Sequence, residues 1–87
     1  MKKRRLVLIE WIDSHSGNGS RSLDDIESSA QPLHCRSVGW LIASKNGMKM
    51  LAASVSREKN TGIKLFGTCD IAIPNSALQK LTVLKDG

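Results

Sequence analysis

Aromatic side chains are scarce in this chain, and one kind is missing altogether. Among 87 residues there are two tryptophans (Trp11 and Trp40), one phenylalanine (Phe66) and no tyrosine. Peptide grooves for proline-rich ligands are lined by several exposed aromatics, so a chain without tyrosine is poorly equipped for that work. Platforms for single-stranded nucleic acid also need aromatics on show, which argues against sequence-specific readout of a strand.

Long apolar runs are missing too. The longest near the start, Leu6-Val7-Leu8-Ile9, follows Lys2-Lys3-Arg4-Arg5. A secretory signal needs about 7–15 apolar residues and a cleavage site, and a membrane helix needs about 20. A cytoplasmic protein with no membrane partner is therefore expected. Cys35 and Cys69 then read as reduced thiols. With His15 and His34 they are the metal-ligating types, but there is no Cys-x-x-Cys and no paired histidine. No metal and no cofactor are expected.

Charge is present and unevenly placed. The net charge is +5. Residues 13–27 hold Asp13, Asp24, Asp25 and Glu27 against Arg21. Residues 36–64 hold Arg36, Lys45, Lys49, Arg57, Lys59 and Lys64 against Glu58. An acidic loop and a basic middle suggest a charged partner.

Apolar alternation and turn signals predict a mostly β domain over 6–85, preceded by a basic tail over 1–5. Strands are expected over 5–13, 35–44, 48–55, 68–73 and 80–84, with a further short strand or strap over 63–66. Ser22 before Leu23-Asp24-Asp25-Ile26 predicts a capped helical turn over 23–28. Asn46-Gly47 between apolar runs predicts a tight type I′ hairpin. Pro74-Asn75-Ser76-Ala77-Leu78 predicts a 3-10 turn. Together these predict a small five-stranded SH3-like or Sm-like barrel, with a long first loop carrying the helical turn. Trp40, between Gly39 and Leu41, is read as core in preference to a groove residue.

Few residues suggest chemistry. Asp13, Ser14 and His15 are adjacent, but successive side chains of an extended chain point apart, so they make no catalytic triad. Asp13 and Ser14 more simply satisfy backbone groups where the strand ends. Gly17-Asn18-Gly19-Ser20 resembles part of a phosphate loop but lacks its lysine and its helix. The protein is not expected to be an enzyme.

Glu10-Trp11-Ile12-Asp13-Ser14-His15-Ser16, Leu23-Asp24-Asp25-Ile26, Cys35-Arg36-Ser37-Val38-Gly39-Trp40-Leu41-Ile42 and Asp70-Ile71-Ala72-Ile73-Pro74 resemble a set of small phage- and prophage-encoded proteins of unassigned function. The similarity runs from about 6 to 84. Relatives often carry tryptophan after the loop glycine, where this chain has Ser20. The resemblance implies a small accessory protein of a virus or mobile element, acting in a bacterial cytoplasm. Such proteins commonly bind a host or viral macromolecule, and some inhibit host defences.

The expected function is thus non-enzymatic binding, with a host or phage protein as the first partner class and a homo-oligomer left open. The candidate partner surface is Trp11, Asp13, His15, Asn18, Arg21, Asp24 and Asp25. A second expectation is nucleic-acid binding through Lys2, Lys3, Arg4, Arg5, Arg36, Lys45, Lys49, Arg57 and Lys59. A third is sequestration of a small nucleotide ligand.

Overall fold

The computed structural model describes residues 4–14, 19–29, 31–57 and 64–87. Strand β1 (Leu6–Asp13) leads through helix α1 (Leu23–Ser28) to the long strand β2 (Leu33–Lys45). Then come β3 (Met48–Ala52), β4 (Ser54–Arg57), β5 (Leu65–Thr68) and β6 (Ile71–Pro74). A 3-10 turn over Asn75–Ala77 precedes β7 (Leu78–Lys85).

Five strands form one antiparallel sheet in the order β6-β3-β2-β1-β7, and β4 and β5 pair in a second, two-stranded sheet. The two edge strands are joined by the 3-10 turn. From Pro74 to Leu78 the chain can span roughly 15 Å at most. A flat five-stranded sheet would hold its edges roughly 19 Å apart. The sheet is therefore rolled. It does not close, because β6 and β7 do not pair with each other among the described residues. This corrects the expected five-stranded barrel: the described residues form seven strands in two sheets, and the roll is open.

Local signals set the frame. Asn46 and Gly47 both take positive φ, 54° and 71°, as a type I′ turn between facing strands requires. The Gly47 carbonyl accepts from the Asn75 amide at 2.8 Å, which ties the hairpin to the 3-10 turn. Pro74 ends β6 at the sheet edge, where its missing N–H costs no ladder bond.

The inside of the roll is the core. Val7 and Ile9 of β1, Leu51 of β3 and Ile73 of β6 are its fully buried side chains, with Trp11, Leu41, Leu78 and Leu81 packed against them. The register Val7↔Gly39 and Ile9↔Ser37 puts small residues of β2 on this face. A Cβ at Gly39 would lie 2.9 Å from the Ala52 carbonyl oxygen and 3.1 Å from the Leu51 Cβ, so only glycine lets these strands pack this closely. Trp40 lies on the opposite, outer face in register with Leu6 and Ala52. It is half-buried there, which corrects its expected place in the core.

The expected strand over 48–55 breaks at Ala53, and the expected strand over 68–73 breaks at Cys69 and Asp70. Cys69 takes φ 51°, an uncommon value outside glycine. The Ala53 amide donates to the Thr68 carbonyl at 2.9 Å, so the two breaks lie at one level. They bend what would be one long hairpin, and β4–β5 becomes a separate ribbon. Ser54 and Thr68 hydroxyls bond across its base. Gly67 lies against Ala52, whose Cβ would be 3.2 Å from a Cβ added there.

Candidate functional site

Two surfaces collect residues with the chemistry of recognition. The first is the arm beyond the ends of β1 and β2. The Asp13 carboxylate accepts from the Ser14 amide at 2.7 Å, a backbone role at the end of β1. In α1 the Ser22 hydroxyl accepts from the Asp25 amide at 3.1 Å. The Arg21 guanidinium donates to the Asp25 carbonyl at 3.1 Å and to the Ser29 hydroxyl at 2.8 Å. These bonds hold a single helical turn, and no α1 residue is buried. Leu23 is 82% exposed and Ile26 46%. Asp24 and Asp25 occupy the same first turn. The result is an apolar pair among acidic groups, open to solvent.

Trp11 sits nearer the core, half-buried, with its indole N–H on the Ser37 hydroxyl at 3.0 Å. Arg21, Asp24 and Asp25 are thus brought together on the arm, whereas Trp11 serves the sheet. His15 and Asn18, also read as partner-binding from sequence, lie outside the described residues. Leu23, the more exposed of the apolar pair, was not singled out by sequence. Its signal was a six-residue helix too short to bury a face of its own.

The second surface is a cleft of about 400 Å³ beneath the β4–β5 ribbon. Trp40 comes from the sheet, Val55 and Leu65 from the ribbon, and Arg4 and Arg57 supply positive charge. Arg4 and Arg5 stand with the basic tail in the sequence, yet Arg5 is tied to the sheet. The Arg5 carbonyl accepts from the Leu41 amide at 2.9 Å, and its guanidinium pairs with Asp86 at 3.2 Å.

The other described basic candidates do not gather there. Arg36 pairs with Glu10 at 3.7 Å in the β1–β2 ladder. Lys49 donates to the Ser44 hydroxyl at 2.7 Å beside the β2–β3 turn, and Lys45 is exposed at the same turn. Lys2, Lys3 and Lys59 lie outside the described residues. Sequence listed Arg4 and Arg57 only among many cations, and nothing local marked their meeting at Trp40.

Among the described residues no group of three or more His, Cys, Asp or Glu side chains is placed to hold a metal ion. Cys35 and Cys69 are free thiols. No described helix is long and apolar enough to cross a membrane. No family model matches this chain, and neither a curated protein nor a solved structure shows significant similarity to it.

Proposed function

We propose that this chain is a non-enzymatic accessory protein of a phage or mobile element that binds a host or viral protein through its α1 arm. The observation that carries this reading is the uncovered apolar pair Leu23 and Ile26 on a helix with no buried residue. A contiguous exposed apolar patch rimmed by polar residues is a mark of a protein contact.

The acidic residues around the pair favour a partner with a basic rim. Such a rim speeds encounter and selects against acidic surfaces. The strand order and the 3-10 turn that links the two edges support an SH3-like reading of the roll. Inhibition of a host defence factor is the biological role that the phage resemblance suggests.

The test is affinity capture from host and phage-infected extracts with the intact chain and with a Leu23→Asp, Ile26→Asp double variant. The reading expects one dominant protein retained by the intact chain and lost from the variant at equal loading and equal folding. Equal capture by both would overturn it. Retention of nucleic acid alone, lost as salt is raised, would move the function to the second expected partner class.

A further inference from the structure

A bare sheet edge invites another strand, and proteins guard such edges with lysine, proline, bulges or short length. The two outer edges of the main sheet are guarded in this way. On β7 stand Lys80 and Lys85, and its pairing with β1 is broken by two register shifts. On the other side β6 is four residues long and ends in Pro74. A further stretch of edge lies along the first half of β2. That strand runs from Leu33 to Lys45 but pairs with β3 only from Trp40 onward. Against β1 its register is unbroken from Asp13↔Leu33 to Leu6↔Trp40. Residues 33–38 therefore have β1 on one side and no described strand on the other. No lysine, proline or bulge guards them.

The Leu41 amide donates to the Arg5 carbonyl at 2.9 Å. Backbone groups alternate in direction along an antiparallel strand. His34, Arg36 and Val38 therefore turn their N–H and C=O groups to the bare edge. All three are exposed, Val38 to 58%. The Arg36 charge is already met by Glu10 within the sheet, at 3.7 Å. The edge thus offers a foreign strand little charge by which to be chosen. Its own reversed copy fits it better.

We infer that β2 pairs antiparallel with β2 of a second copy over residues 33–37, about a two-fold axis at Cys35. Such an axis stands perpendicular to the sheet and keeps each side chain on its own face. The bare run can then be centred on Cys35 or on Arg36. Centring on Arg36 sets two guanidinium groups directly opposite, which is destabilising. Centring on Cys35 sets Arg36 opposite the partner's His34 and Leu33 opposite the partner's Ser37. The two Arg36–His34 pairs exchange four backbone hydrogen bonds. Pro32 ends the run on each side, because it has no N–H to give. The inference does not depend on the arm reading, and each can fail without the other.

The test is sedimentation of the full chain from micromolar to submillimolar concentration, where a reversible dimer is expected. Arg36→Pro removes an N–H that faces the bare edge and leaves the β1 ladder intact. It is expected to weaken the dimer by about tenfold or more. Circular dichroism confirms that the variant is folded, and His34→Pro takes its place if it is not. The register is read by diamide, which takes up the two thiol hydrogens as an S–S bond forms. Both cysteines are free, so the Cys69→Ser chain isolates Cys35. Facing residues of a non-hydrogen-bonded pair have Cα atoms about 4.5 Å apart, within the span of a disulfide. A covalent dimer is expected from Cys69→Ser, forming about tenfold faster or more than when Arg36→Pro is added. A monomer at every concentration overturns the inference. So does a dimer unchanged in a folded proline variant, or one that gives no Cys35 cross-link. Loss of the dimer in Leu23→Asp, Ile26→Asp overturns it as well, in favour of an interface on the arm.

Discussion

The inside of the rolled sheet and the α1 arm are built on opposite terms. Val7, Ile9, Leu51 and Ile73 are buried to within 2% of completely, and they come from three strands that the turns and register hold together. In α1 no residue is buried, and the turn is held by its own cap and by Arg21. Stability therefore lives in the sheet, while the apolar surface of the arm is free for a contact. A chain this small has few core side chains to spare. Leu23 and Ile26 lie outside that core.

The largest effect that can break this comparison is in the core. Leu51→Ala or Ile9→Ala is expected to cost about 2–5 kcal/mol, read as a lower urea midpoint. For a domain of this size that is a large share of its stability. A loss below about 1 kcal/mol would mean that the sheet interior is not where stability resides.

Gly39→Ala comes next. Its Cβ would press on the Ala52 carbonyl oxygen, a backbone atom that cannot swing aside. A cost of about 1–3 kcal/mol is expected, with amide shifts confined to β2, β3 and the start of β1. Gly47→Ala is expected to cost about 1–2 kcal/mol, because φ at that position is 71°.

Ser22→Ala sharpens the contrast. It removes the side-chain acceptor of the Asp25 amide, a loss usually of about 0.5–2 kcal/mol. Here the loss falls on a helix with no buried residue. The urea midpoint is expected to stay within error, while amide exchange over 23–28 becomes faster. A clear drop in the midpoint would show that α1 is coupled to the core.

Sequence and structure agree where the determinants are local. Ser22 with two following aspartates marks α1 to the residue, Asn46-Gly47 marks the β2–β3 turn, and Pro74 marks the 3-10 turn. Each rests on chemistry within four or five residues. The bend at Ala53 and Cys69 was hidden because the apolar alternation runs straight through both positions. Only the pairing of Ala53 with Thr68, 15 residues away in sequence, creates it. The bulge between Leu41 and Ala43 was hidden for the same reason. The candidate sites follow this division. The acidic turn Asp24-Asp25 could be found from its cap, whereas Arg4, Trp40 and Arg57 meet only after the hairpin bends over the sheet.

The separation of stability from contact is tested most directly by the Leu23→Asp, Ile26→Asp double variant, followed by urea denaturation and partner capture on the same preparation. An unfolding free energy within about 0.5 kcal/mol of the parent, together with loss of the captured protein, is the predicted result. An unfolding free energy lowered by about 2 kcal/mol or more, or capture that persists unchanged, would contradict it.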